Sequence, residues 1–305
     1  METKTLRHFL AIANEGTLLH AAKYLNVSQP TLSRQMKELE NELGKKLFIR
    51  GNRHITLNDA GYEFKEYALS IIDLIDKAKH DITNTNSFLS GDIYLGAAET
   101  KTMEFIISII NEIQNQHPDL CFHFYSGNSE DVISKINNGL LDFGILINPK
   151  NIDSFNYIQL PYKDSCGILM NKNSPLATKD YITPEDLIDQ PLILSRQDMR
   201  KNEVLEWFNI PFDHLKIKAT YNLIYNASLM IAKSGGYAFM LEGLINTEGT
   251  DLVLKPMKPE INIDVVLFWK KYQSFSKASQ FFLNTVIEKI KAIYNLITDL
   301  SGRLQ

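Results

Sequence analysis

Cysteine is scarce in this chain, with two in 305 residues, Cys121 and Cys166. Two thiols outside any CxxC pair exclude a disulfide framework and a four-thiolate zinc site, and reduced, buried thiols are the expectation. Long apolar runs are missing as well: nowhere do about eighteen apolar residues follow one another, as a membrane-spanning helix requires. The opening METKTLRHFLAIANEG carries Glu2, His8 and Glu15 where a signal peptide is uninterruptedly apolar, so the expected location is cytoplasmic, with no membrane partner. Neither sign of charge dominates: 32 Lys and Arg face 36 Asp and Glu, a net −4. Counted by segment, residues 1–60 hold nine basic against six acidic residues, +3, which leaves −7 for the remainder. A surplus of that size is common in small domains and identifies no partner alone.

Catalytic motifs are lacking too. There is no GxSxG, Walker A, HExxH or G-x-G-x-x-G, and Gly235-Gly236 lies between a helix and a strand, the reverse of a dinucleotide fingerprint. The strongest enzymatic hint is Cys121 with His117 and His123, because a thiol beside an imidazole can act as nucleophile or metal ligand. Cys121 and His123 point to one face of a strand, but no third ligand lies nearby in sequence. No catalytic residue, metal or cofactor is therefore expected.

What is present is a helical N-terminus. Leu6, Phe9, Leu10 and Ala13 recur at helical spacing and predict a helix over Thr3–Glu15 that Gly16 ends. Thr17 caps a second helix, whose paired Ala21 and Ala22 permit close helix approach. After the turn Asn26-Val27-Ser28, a third helix begins with Ser28 as cap and Pro30 in its first turn. Leu32, Met36, Leu39 and Leu43 form its buried stripe, leaving Gln29, Thr31, Ser33, Arg34 and Lys37 outward. Two helices joined by a short turn, the second presenting Gln, Ser, Thr and Arg near its start, suit the reading of a DNA major groove. A solvated face of an ordinary three-helix bundle is the alternative. Strand-like Leu47–Arg50 and His54–Leu57 flank Gly51-Asn52-Arg53 and predict a wing, with Arg53 either entering the minor groove or solvated at the turn.

The stretch FLAIANEGTLLHAAKYLNVSQPTLSRQMKELENELGKKLFIRGNRHITLNDAG resembles the N-terminal signature of LysR-type transcriptional regulators along its whole length, including AAKYLNVSQPTLSRQ, ELGKKLFIR and TLNDAG. The resemblance implies a winged helix-turn-helix in which Gln29, Pro30, Ser33, Arg34 and Arg53 meet DNA, with Thr31 close by.

From Asn58 onward a long helix is predicted over Asp59–Thr85. Its Phe64, Ala68, Ile71, Ile75, Ala78 and Ile82 form a heptad seam that suits pairing with the same helix of a second subunit, or else packing on the chain's own domains. Beyond Gly91 the pattern turns into strands and helices in alternation: strands near 92–97, 121–125 and 142–147 with helices at 102–116 and 129–138, then strands near 165–170, 191–194, 216–220 and 237–241 with helices near 200–208 and 225–233. The strand 262–269 and the helix 276–299 are expected to return to the first sheet. Two subdomains joined by crossings near Leu160–Tyr162 and Phe268–Lys270 would leave a cleft, with ligand residues at strand ends. By that rule the candidates are Glu99, Thr100, Lys101, Thr102 and Asn128 on one side and Ser195, Arg196 and Tyr225 on the other. Glu99, Lys101 and Arg196 suit a carboxylate or a zwitterion, or else are solvated surface.

The layout is similar to the effector domain of the same family, which has the fold of type II periplasmic binding proteins, although Glu242 stands where a proline is common and Glu99 where a small polar residue is frequent. The expected architecture is thus α+β and α/β in several domains: a winged helix-turn-helix over 1–58, a linker and dimerisation helix over 59–89 and an effector-binding domain over 90–305, with subdomain I at 90–160 and 269–305 and subdomain II at 161–268. The expected function is transcriptional regulation through double-stranded promoter DNA, as a homodimer or homotetramer, with a small-molecule effector in the cleft and RNA polymerase as a further partner. The rival is a cytosolic solute-binding protein or enzyme whose N-terminal helices serve oligomerisation.

Overall fold

Gly16, in the left-handed region at φ 67°, ends helix α1 (Thr3–Glu15) by donating its N–H to Ile12. Thr17 then caps α2 (Leu18–Tyr24) by accepting the His20 N–H at 3.1 Å. Asn26, at φ 53°, makes the turn, and Ser28 opens α3 (Gln29–Leu43). A computed structural model describes residues 1–51, 54–83, 89–149, 152–196 and 206–302, with the backbone alone at 50, 80–83, 212 and 296–302. Contacts divide the chain into two compact units, Met1–Thr85 and Asn86–Gln305. Among the described residues no helix is long and apolar enough to cross a membrane.

In the first unit, Leu6, Phe9, Ile12, Ala21, Leu32, Met36 and Leu39 bury the facing sides of α1, α2 and α3. Ala21 is fully buried, as expected of a residue where helices approach closely. Strands β1 (Phe48–Arg50) and β2 (Ile55–Leu57) pair antiparallel, and the Gly51 N–H reaches the His54 carbonyl at 2.9 Å to close the loop between them. The Ile55 N–H bonds the Gly16 carbonyl at 2.7 Å and so ties this wing to the turn after α1. Asn58 starts α4 (Asp59–Thr83) by accepting the Gly61 N–H through Oδ1, while its Nδ2 donates to the Lys46 carbonyl, each at 2.9 Å. Gly61 is required there: a Cβ would sit 2.1 Å from the Leu47 carbonyl oxygen.

Helix α4 differs from the expected seam. Phe64 meets Phe9 edge-on at 4.9 Å, Ala68 is fully buried, and Ile71 packs against the same core. Ile75 is half-buried, Ala78 is exposed, and the Ile82 side chain lies outside the described residues. The first turns of a helix leaving a small domain serve to cover that domain, and an apolar 4-3-4 stripe does not distinguish this from pairing with a partner helix. Beside this stripe, on the side of Ile71 and Ala78, Tyr67 and Leu74 are 61% and 43% exposed. Arg7 Nη2 holds both oxygens of Asp76, at 2.7 and 2.8 Å, and fixes α4 against α1.

The second unit holds one sheet in the order β4-β3-β5-β11-β6-β9-β7-β8, with β10 on β6. Its strands are β3 (Gly91–Ala97), β4 (Leu120–Ser126), β5 (Phe143–Ile147), β6 (Phe155–Asn171), β7 (Leu192–Ser195), β8 (Ile217–Tyr221), β9 (Tyr237–Leu241), β10 (Leu252–Pro256) and β11 (Asn262–Lys270). β4, β3 and β5 are parallel, as are β8, β7 and β9, the pattern expected where helices connect successive strands. The helices are α5 (Met103–Gln116), α6 (Ser129–Asn137), the single turn α7 (Pro184–Leu187), α8 (Ile224–Ser234) and α9 (Lys277–Gly302). Of the helix expected over 200–208, residues 200–205 lie outside the described residues and Glu206–Phe208 are helical.

Of the two crossings expected near 160–162 and 268–270, the first falls inside a strand, β6, and the second at the end of another, β11. β6 runs 17 residues, pairing first with β11 and then with β9 and β10, and β11 pairs with both β5 and β6. Both strands are thus shared by the two halves of the sheet, and β11 together with α9 packs into the first core around Ile93, Leu95, Phe143 and Phe282. β10 has a weak signal in the sequence, because its apolar run, Leu252-Val253-Leu254, is only three residues before Lys255-Pro256.

Candidate nucleic-acid interface and ligand cleft

The start of α3 is rigidly built. Ser28 Oγ accepts the Thr31 N–H at 3.3 Å and shares a hydrogen with Thr31 Oγ1 at 2.7 Å, so the Thr31 hydroxyl serves the cap. Gln29, Pro30, Arg34 and Lys37 are exposed, and Ser33 is half-buried beside them. The Arg34 side chain is 75% exposed, with Glu38 one turn on at 3.7 Å; an exposed pair of that kind contributes little and leaves the guanidinium free to exchange partners. Gln35, by contrast, is engaged inward at 2.6 Å from His8 Nδ1. Arg53, expected at the wing tip, lies outside the described residues.

The wing is held by a carboxylate that sequence reasoning left unassigned. Glu40, only 4% exposed on the inner side of α3, accepts the Leu47 N–H and the Lys46 ammonium, each at 2.9 Å. Burial pushes its carboxyl upward, but the Leu47 N–H, the Lys46 charge and the Phe48 N–H outweigh this and hold it below the ordinary carboxylate value. One side chain thereby sets the wing against the helix that presents Arg34.

In the second unit a cleft opens at the carboxyl ends of the strands. Ala98, Glu99, Gly127, Asn128 and Ile147 line it from one half, Ser195, Tyr221–Ile224, Met240, Leu241 and Leu244 from the other, and Cys166 and Ile263 from the shared strands, with Ile261 just before β11. Most of the lining is apolar. Two helices begin at its wall: α6, capped by Asn128 Oδ1 accepting the Asp131 N–H at 3.0 Å, and α8, whose N-cap Leu223 supplies no side-chain acceptor. Among the described residues, the first N–H groups of α8 thus have no side-chain cap from the N-cap position.

Of the eight expected cleft residues, Glu99, Asn128 and Ser195 line it and five do not. Thr100 and Thr102 are buried and turned onto Asp164 of β6: the Thr100 hydroxyl donates to its Oδ2, and Thr102 donates to Oδ1 through its hydroxyl at 2.7 Å and its N–H at 3.1 Å. Lys101 lines an adjoining recess that shares Ala98, Glu99 and Leu244 with the cleft, its methylenes near the Gly243 backbone. Arg196 is exposed, contributing its backbone N–H to the Tyr221 carbonyl at 2.8 Å, and Tyr225 is 64% exposed on the outer side of α8. The strand-end rule that points to Ser195 points equally to Tyr221–Leu223 at the end of β8 and to Leu241–Leu244 at the end of β9. No local signal marks Cys166, Ile261 or Ile263, which reach the cleft in the shared strands or, for Ile261, just before β11.

Residues 3–62 match the model of the bacterial regulatory helix-turn-helix proteins of the lysR family, and residues 86–291 match that of the LysR substrate binding domain. The chain belongs to the LysR family. This LysR-family protein is 25% identical over 293 residues to the uncharacterized HTH-type transcriptional regulator YfeR of Shigella flexneri, covering 95% of this chain and 94% of that one. Its fold is similar to the crystal structure of CbnR, a LysR family transcriptional regulator, with TM-score 0.75, 16% identity and coverage of 95% and 99% of the two chains. The structure of full-length CbnR complexed with its target DNA gives TM-score 0.71 at 17% identity, covering 96% and 99%. The protein is a transcriptional regulator with a helix-turn-helix DNA-binding domain and an effector-binding domain, and not an enzyme.

Proposed function

We propose that this LysR-family regulator reads promoter DNA with Gln29, Ser33, Arg34 and Lys37 of α3, with Pro30 and Thr31 shaping the start of the helix and Arg53 reaching from the wing. The observation that carries the reading is the exposed Gln29–Lys37 face on a capped helix whose opposite side is fully packed. Arg34 can bind guanine through two parallel hydrogen bonds, Gln29 can do the same for adenine, and Lys37 is suited to phosphate. The protein acts in the cytoplasm as a homodimer, pairing further into a tetramer, along the side of α4 that carries the exposed Tyr67, Leu74 and Ala78; the surface so formed is available to RNA polymerase.

The effector is a small carboxylate with an apolar body. Apolar walls receive the body and the uncapped start of α8 receives the anion. A zwitterion fits less well, because Lys101 and Arg196 stand outside the cleft and Glu99 is the charged residue lining it. Effector and DNA are then linked: whatever factor the effector imposes on DNA affinity, DNA imposes on effector affinity. The test is titration of the full-length protein with duplex promoter DNA at several salt concentrations. Affinity should fall steeply with salt, as release of counterions from phosphate demands, and absence of duplex binding at low salt would contradict the proposal.

A further inference from the structure

β4 is the outermost strand of the sheet order among the described residues, and Cys121 and His123, two apart on it, leave from the same face. β3 runs parallel beside it with Asp92 opposite Cys121 and Tyr94 opposite His123. That register supplies the third group that the sequence alone did not offer. One donor atom each from Asp92, Cys121 and His123 lies within 4.8 Å of the others. Asp92 is 8% exposed at the base of the cluster, while Cys121 and His123 are open to solvent. The imidazole is already oriented: its Nε2 is 3.1 Å from Asp92 Oδ1, and its ring stacks on Tyr94 with centroids 4.7 Å apart and planes at 16°. His117, the other imidazole near Cys121 in sequence, packs edge-on against Phe281 instead.

We propose that Asp92, Cys121 and His123 form a binding site for a divalent ion of the zinc class, at the sheet edge and separate from the effector cleft. A thiolate, an imidazole and a carboxylate together suit zinc and its neighbours in the transition series and disfavour magnesium and calcium, which take oxygen ligands. Tetrahedral bonds of about 2.0–2.3 Å place ligand atoms roughly 3.3–3.7 Å apart. His123 and Asp92, at 3.1 Å, already meet this spacing, and any pair as far apart as 4.8 Å closes by about an ångström through the side-chain torsions of the two exposed residues. Three protein ligands leave a fourth position facing solvent. Binding converts the Cys121 thiol to thiolate and releases its proton to water, so affinity rises with pH. None of the three residues lines the cleft, so the ion would act on the regulator independently of an organic effector.

The test uses the full-length protein, dialysed against a chelator and titrated with Co²⁺ and then Zn²⁺. The expected result is one Co²⁺ per chain with a thiolate-to-cobalt charge-transfer absorption that Zn²⁺ abolishes. Cys121→Ser removes the absorption, His123→Ala weakens Zn²⁺ binding by at least about tenfold, and Cys166→Ser leaves both unchanged. Cys121 is exposed, so Cys121→Ser should keep the metal-free melting temperature, which serves as the check on folding. No charge-transfer absorption with wild type, or one that survives Cys121→Ser, overturns the proposal.

Discussion

Glu40 accepts the backbone N–H of Leu47 at 2.9 Å from a side chain that is almost wholly buried, and so joins the recognition helix to the strand that leads into the wing. Glu40→Ala leaves the Leu47 N–H without its acceptor, a loss of about 1–3 kcal/mol in the stability of the first unit. Glu40→Gln keeps an acceptor but loses the Lys46 pair. Because the folded carboxyl titrates below its unfolded value, its contribution is complete above that value and fades as pH falls through the folded one. Denaturant unfolding of wild type and Glu40→Gln should therefore differ most near neutral pH and converge as pH falls through the lowered folded value. A difference independent of pH would show that the charge is not what stabilises the wing.

Asp164 plays a corresponding part in the second unit, where it gathers Thr100 and Thr102 onto β6. Asp164→Ala strands two buried hydroxyls; the Thr102 N–H retains Thr100 Oγ1 at 3.1 Å. The expected cost is about 3 kcal/mol, and about 1 kcal/mol for Thr102→Val, which removes one donor and one hydrogen bond. Thermal unfolding measures both. Equal and negligible effects would remove the latch from the account.

The cleft makes a separable prediction. Leu244→Trp places an indole into the apolar lining, and the variant should bind promoter DNA as wild type does while losing its response to effector. A screen of small carboxylates by thermal shift, in which a ligand at a hundred times its Kd adds about 2.7 kcal/mol, finds the compound; the variant should then show no shift with it. A normal shift in Leu244→Trp would place the effector elsewhere.

On α4, two substitutions of the same kind should act differently. Leu74→Glu lies on the exposed side of the helix and should dissociate the dimer with the fold retained, whereas Ala68→Glu drives a charge into a fully buried position and should unfold the first unit. Sedimentation together with circular dichroism distinguishes the outcomes. An unchanged mass for Leu74→Glu would end the assignment of this face.

Legibility in the sequence follows the range of the interactions involved. Helix ends were readable because their causes are local: Gly16, Thr17, Ser28 and Asn58 each act within a few residues, and each stands where its chemistry required. The stripe of α4 was visible but its partner was not, since Phe64 and Ala68 would be apolar against Phe9 or against a second subunit alike. Cleft residues were legible only where one strand end suffices. Thr100 and Thr102 looked like ligand groups until β6 brought Asp164 under them from 62 residues away. Asp92 and Cys121 meet through strand register, which spacing along the chain does not encode.

The central claim is that the exposed face of α3 reads DNA, and Arg34→Ala tests it most directly. By fluorescence anisotropy with duplex promoter DNA at fixed salt, the variant should bind about 1–3 kcal/mol more weakly than wild type and discriminate less between promoter and random duplex, as loss of a base contact requires. Equal affinity and equal discrimination for the two proteins would contradict the account.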